Sequence, residues 1–213
     1  MYTNYEIMNP FFDKDEPVET FLGGLLPHWH QDEKIQYVTF RLADSLPQSK
    51  ITELRLAISS FNEAHPKPWD KRAIQRYWQI VGAKEEELLD NGYGECILQR
   101  PEIRKIVSSS IWFNSSKLYD IIAYVIMPNH VHLILQLYDN QYLDDILRSL
   151  KGFTANAINN YLQRTGRVWM TSYFDRIVRS ERHLQKYISY IENNPRNFSS
   201  DMYELYVNPN YKR

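Results

Sequence analysis

The chain has 213 residues, 43% of them hydrophobic, with sixteen Tyr, nine Phe and five Trp, enough for a single domain with a sizeable core. A formal net charge of −1 by itself argues against a nucleic-acid partner. A lone cysteine, Cys96, excludes an intramolecular disulfide and a cysteine-cluster zinc site, and no apolar run has the length needed to span a bilayer.

The first thirty residues are acidic and aromatic with no apolar stretch of the secretory kind, so a cytoplasmic location is expected. Residues 1–33 read as an irregular N-terminal arm. "IQYVTFRLA" (35–43) alternates and is rich in β-branched and aromatic residues, which predicts a strand that "DSLPQ" ends. Three helical segments are expected next, at 49–64, 69–90 and 101–114, the last opened by Pro101 at a first helical position. The glycines of "DNGYGEC" mark a loop before it.

"KLYDIIAYVIM" (117–127) and "HVHLILQL" (130–137) predict two strands of a hairpin broken by Pro128-Asn129. Residues 144–163 carry Ile146, Leu147, Leu150, Phe153, Ala157, Ile158 and Leu162 at helical spacing. Residues 168–179 look extended, and 180–194 form a helix with Ser180 as N-cap and Pro195 as its stop. The order is that of an α+β, ferredoxin-like β-α-β-β-α-β antiparallel sheet with one extra C-terminal helix. A single domain over 34–196 is expected, with a helical insertion at about 45–116 after the first strand and a tail at 197–213.

Charge is unevenly spread. Eight basic residues stand against two acidic ones between Ile146 and Tyr190, which leaves the rest of the chain at −7. This asymmetry suggests a polyanion-binding face; an ordinary solvated helix face is the alternative.

His130 and His132 are two residues apart on a predicted strand, so both point to one face. Two adjacent imidazoles repel if both are protonated and need partners if both are buried. A shared metal ion answers both problems, since neutral imidazole is a good ligand; hydrogen bonds at a sheet edge are the other solution. Protonation would release such a metal below about pH 6. On the last helix, at roughly 100° per residue, Leu184, Tyr187, Ile188 and Ile191 make the core stripe. His183, Tyr190 and Asn194 form a polar row along its edge, with Tyr190 and Asn194 one turn apart. An amide oxygen can ligate a metal, and a phenol beside it can attack a phosphorus that a cation polarises.

"YVIMPNHVHLIL" resembles the HUH motif of single-tyrosine transposases of the insertion-sequence kind, U being a bulky hydrophobic residue. "YISYIENNP" resembles the tyrosine helix of their REP-associated branch, which carries Y-I-x-x-N-P, and "YFDRIVRSERHLQKYI" fits the stretch before it. "YVTFRLADSLP" and "GYGEC" are similar to a subgroup of longer chains, so the resemblance covers roughly residues 28 to 196. It implies a transposase-like endonuclease that cleaves and joins single-stranded DNA at hairpin-associated sites on a ferredoxin-like sheet, with Mg²⁺ or Mn²⁺ as cofactor. By position it makes His130 and His132 metal ligands, Asn194 the residue completing the metal site, and Tyr190 the nucleophile that becomes joined to a 5′ phosphate.

Single-stranded or hairpin DNA is then the partner, and the chain works as a monomer or as a homodimer that exchanges the tyrosine helix. Lys151, Arg176 and Arg179 suit phosphate contacts; Trp169 suits stacking on an unpaired base, or else packing in the core. Related chains often have Trp-Gln where this one has Trp169-Met170, and compact members lack the long segment at 45–116; both departures bear on substrate recognition more than on chemistry. A domesticated single-strand or hairpin binder that has lost turnover is the alternative function. A two-histidine phosphoesterase usually needs two H-x-[ST] segments, and the chain has one histidine pair.

Overall fold

The computed structural model describes residues 9–23, 26–66 and 69–211. Its centre is an antiparallel sheet of five strands in the order β6-β3-β5-β4-β7. The strands are β3 (Ile35–Arg41), β4 (Tyr119–Ile126), β5 (His130–Leu137), β6 (Phe174–Ile177) and β7 (Glu204–Val207). β5 lies in the middle, and seven of its eight residues are buried, because helices cover both faces of the sheet.

One face receives Val38, Phe40, Val131, Leu133 and Leu135, packed under α4 (Pro101–Phe113) and α5 (Leu143–Tyr161). The opposite face receives Tyr37, Ile134 and Val125 beneath α6 (Glu181–Asn193), which contributes Leu184, Ile188 and Ile191. β4 serves both faces through a bulge between Ile121 and Ala123. The extra residue puts Ile121 and Tyr124 on the α4/α5 side while Ile122 and Ala123 both face the other core.

The expected α+β antiparallel sheet is therefore present, with additions. Part of the N-terminal arm, read from sequence as irregular, is a hairpin of β1 (Glu19–Gly23) and β2 (Leu26–His30). The tail supplies β7, which pairs with β4 as a fifth strand. The stretch 168–179 is a strand only over β6, with one isolated bridge between Leu42 and Trp169. Phe153, counted from sequence in the apolar row of α5, is exposed, and Thr154 takes the inward place.

The insertion holds α1 (Gln48–Ala64), α2 (Lys71–Tyr77) and α3 (Ala83–Asp90), a π turn at Trp78–Gly82 dividing what the sequence suggested was one helix. Phe61, Trp69 and Tyr77 meet ring to ring, at centroid distances of 4.9 to 5.3 Å, and tie α1 to α2. The loop after α3 closes on the end of β3. Gly94, at φ +93°, lies so near the Asp44 carbonyl oxygen that a Cβ would stand 2.6 Å from it, so only glycine fits. No helix among the described residues is long and apolar enough to cross a membrane.

α6 starts where the sequence signals it. The Ser180 hydroxyl accepts the His183 N–H at 3.2 Å, satisfying one of the free donors of the first turn. Ser180→Ala is expected to cost about 0.5–2 kcal/mol, read as a lower urea midpoint, and Ser180→Asp to restore most of it.

Candidate functional site

The two-residue period of β5 places His130 and His132 on the α6 side of the sheet, as the sequence spacing required. Their cross-strand partners on β3 are Arg41 and Thr39, and Tyr37 follows in the same row. Both histidines are 1% exposed. Their Nε2 atoms stand 3.0 Å apart.

Each ring is held from behind. Asn129 donates its amide N–H to the Tyr93 and Leu89 carbonyls of the insertion, at 3.1 and 3.4 Å. Its Oδ1 therefore faces His130 Nδ1, at 2.7 Å, and can only accept. His130 must carry its proton on Nδ1, which leaves the Nε2 lone pair pointing at His132. His132 Nδ1 meets the hydroxyls of Thr39 at 2.7 Å and Tyr37 at 2.9 Å. A hydroxyl donates or accepts, so His132 can hold its proton on either nitrogen.

Burial pushes the His130 imidazolium down to about 3 and holds His132 well below its usual range, the neighbouring ring adding to the effect on His132. Both rings are therefore neutral at physiological pH. Two neutral nitrogens whose lone pairs can converge suit a shared cation. Their separation is about that of adjacent ligands roughly 2.1 Å from an octahedral ion. Among the described residues no group of three or more His, Cys, Asp or Glu could hold a metal, so further protein ligands would have to come from amides, as Asn194 could provide, or from hydroxyls.

α6 lies across this pair. The Tyr190 ring is 5.1 Å from the His132 ring, nearly perpendicular to it, and both belong to one chain. Asn194 caps the C-terminal end of α6, its N–H bonded to the Tyr190 carbonyl, and so stands one turn beyond that tyrosine. Tyr187 stacks flat on Tyr37 at 4.1 Å, in the packing position that the core stripe assigned it.

The other sequence candidates divide. Arg176 follows Phe174 on the histidine side of β6, opposite Tyr37, and exposed Arg179 begins the turn into α6. Their charges, with that of Lys186, add to burial in pushing His183 down to about 4, so this end of α6 carries a positive field. Lys151 belongs to the other side of the sheet. It donates to the Thr171 carbonyl at 2.8 Å from α5, and burial lowers it to about 8. Of the two roles the sequence left open for Trp169, stacking on a base and packing in the core, the structure shows packing: the residue is 4% exposed, meets Phe40 edge-on at 5.1 Å and donates Nε1–H to Thr154 Oγ1 at 2.8 Å.

Sequence reading missed Asn129, Thr39 and Tyr37 as supports of the histidines. The alternation of "IQYVTFR" already put Tyr37, Thr39 and Arg41 on one face, but only the register with β5 brings them to His132 and His130. Arg41 is buried and bonded to Glu85 at 3.1 Å and to Ser45 at 3.0 Å, a second tie between the insertion and the histidine end of the sheet.

Burial of neutral imidazole has a measurable sign. The unfolded chain takes up protons as pH falls through about 6.5, while folded His130 resists until about 3. Stability is full above that window and is lost as pH falls through it, by about 1.4 kcal/mol per pH unit for each such histidine. Urea midpoints of wild type between pH 7 and pH 4 should show this loss, and His130→Gln should show a shallower slope. The same burial should keep metal binding intact below the pH 6 limit expected from an exposed pair.

Residues 99–194 match the family model described as "Transposase IS200 like". A Haemophilus influenzae protein described as uncharacterized is 25% identical over 169 residues, covering 66% of this chain and 90% of that relative. Among solved structures, a REP-associated tyrosine transposase bound to a REP hairpin is 15% identical, covering 80% of this chain and 71% of that one, with a TM-score of 0.42. A Deinococcus radiodurans protein described as a transposase is 17% identical over 78% of this chain and 93% of that one, with a TM-score of 0.33. The family match spans α4, β4, β5, α5, β6 and α6, the part of the chain that carries His130, His132, Tyr190 and Asn194, and by it that part is similar to the IS200-like transposases.

Proposed function

We propose that the protein cleaves and rejoins single-stranded DNA through a phosphotyrosine at Tyr190, with His130, His132 and Asn194 holding Mg²⁺ or Mn²⁺. The observation that carries this reading is the seating of the Tyr190 ring 5.1 Å from His132 within one chain, over two neutral imidazoles whose Nε2 atoms converge. The cation would act as a Lewis acid on the phosphate oxygens.

The chain's own groups supply the rest. The Tyr190 oxygen attacks phosphorus as the phenol gives up its proton, and the bond to the 3′ oxygen breaks to release a 3′ hydroxyl. The 5′ side stays on Tyr190 as a phosphate ester, which a second 3′ hydroxyl can attack to rejoin a strand and regenerate the phenol. Asn129, Thr39 and Tyr37 keep both imidazoles in orientation, and Tyr187 stacked on Tyr37 fixes the pitch of α6 over them. Arg176 and Arg179, whose charges reach His183 on α6, suit the phosphates of the strand. A hairpin next to the cleavage site is supported by the likeness of "YISYIENNP" to the REP-associated branch.

A second reading, a hairpin or single-strand binder without turnover, is favoured by one observation. Both histidines are 1% exposed beneath α6, so a phosphate reaches them only if that helix gives way.

The deciding measurement is a denaturation-resistant protein–DNA adduct formed on a panel of hairpin-flanked single strands with Mg²⁺ or Mn²⁺. Wild type and Tyr187→Phe should form it through the 5′ phosphate, and Tyr190→Phe should not. Cleavage persisting in Tyr190→Phe, with a free 5′ phosphate, would assign the reaction to activated water. Binding across the panel with no adduct would favour the binder. Affinity for the same strands should fall steeply with salt, and Arg179→Ala should reduce the slope of log K against log salt by about 0.7, the value for one phosphate contact on a single strand.

A further inference from the structure

The sheet face turned away from the histidine pair carries a second concentration of polar and aromatic groups. The β1/β2 hairpin, the start of α5 and β6 enclose a cleft of about 370 Å³. Two stacked ring pairs stand in its walls: His28 on Tyr173 and His30 on Tyr142, each at 4.2 Å between centroids. His28 Nδ1 is bonded at 2.5 Å to the carboxylate of Asp175, and both residues are buried. The Tyr173 hydroxyl donates to Asp144 at 3.4 Å.

These groups define the ligand. Asp144, Asp145 and Asp175 line the cleft. Asp175 is engaged by His28, and the exposed Arg148 pairs with both Asp144 and Asp145, so a strand that draws Arg148 onto a phosphate frees those two carboxylates for a base. Flat rings with carboxylates at their edge suit a planar molecule that presents N–H donors. The cleft shares Asp144, Arg148 and Tyr173 with a neighbouring groove of about 750 Å³ between α5 and the 166–173 segment. That groove is basic, with Arg148, Lys151 and Arg167 along it. A base-accepting cleft beside a phosphate-accepting groove is the pairing that a nucleic-acid strand requires.

We propose that this cleft binds one unpaired guanine of a single strand, stacked on Tyr142 with its base edge toward Asp144 and Asp145, while the flanking phosphates lie along Arg148, Lys151 and Arg167. Guanine is favoured because its N1–H and N2–H₂ donors are adjacent and match the two oxygens of a carboxylate; cytosine and adenine each offer one amino group, with acceptors beside it. The assignment rests on the reading that the protein binds single-stranded DNA. It adds a site of base selection on the opposite face of β6 from Tyr190, built partly from the N-terminal hairpin.

The test compares a short thymine strand holding one guanine with the same strand abasic at that position, by fluorescence anisotropy on the full chain. The guanine strand should bind about tenfold or more tightly, a typical effect of one stacked base. Tyr142→Ala and Asp144→Asn should each abolish the preference, and Tyr142→Phe, which keeps the ring, should retain it. The assay is run in a chelator without Mg²⁺ or Mn²⁺, so that no covalent adduct forms and the cleft is judged by binding alone. Equal affinity for the two strands would overturn the proposal, as would a guanine preference untouched by Tyr142→Ala and Asp144→Asn. Saturable binding of free dGMP with no gain from guanine within the strand would overturn it as well. Asp144 lies on the first turn of α5 and is only half-buried, so Asp144→Asn keeps the test decisive if Tyr142→Ala fails to fold.

Discussion

Two imidazoles 3.0 Å apart in the dry middle of a sheet cannot both be charged, and each needs its remaining nitrogen satisfied. Much of the surrounding structure answers that constraint. β3 brings the Thr39 and Tyr37 hydroxyls to one ring, Asn129 brings an amide oxygen to the other, and α6 closes over both. Neutral rings held in fixed orientation are costly in desolvated polar groups and of little use to stability alone. On the proposed reading they present lone pairs to a cation.

On the proposed reading the two faces of the sheet divide the work of binding a strand. On the side of the histidines, burial and then the charges of Arg176, Arg179 and Lys186 disfavour protonation of His183 near the start of α6. On the other side, Arg148, Lys151 and Arg167 line a groove along α5, where Arg148 pairs with Asp144 and Asp145. A net charge of −1 is compatible with nucleic-acid binding under these conditions, because attraction is local and the rest of the surface discourages indiscriminate contact.

Periodicity made the core of the fold and the principal site legible in the sequence. A strand period of two set His130 beside His132, and a helix period of 3.6 set Tyr190 one turn before Asn194 and sent Tyr187 to the packing stripe. These are local rules, and they hold where neighbours in sequence are neighbours in space. Supports that arrive from far along the chain were not legible. Thr39 reaches His132 across 93 residues, and Asp175 reaches His28 across 147. The β1/β2 hairpin was missed because its strands are short and lie outside the main sheet, and β7 because four residues of tail gain strand character only by pairing with β4. Trp169 illustrates a different limit: composition cannot say which side of an edge segment faces inward, and here Phe40 and Thr154 claim the ring.

The grip of Asn129 on the Leu89 and Tyr93 carbonyls bears on how such a chain can be shortened. The stretch holding α1 to α3 looks dispensable, since Asp44 before it and Gly94 after it lie side by side, close enough for a short loop to replace it. Here it fixes which way a carboxamide points, and so which nitrogen of His130 offers its electrons. Trimming it away would leave every residue of the histidine motif in place while freeing that amide to turn over, presenting N–H where an acceptor is needed. A compact derivative would therefore need a new pair of acceptors for Asn129, making the inserted segment an organ of the site and not a removable module.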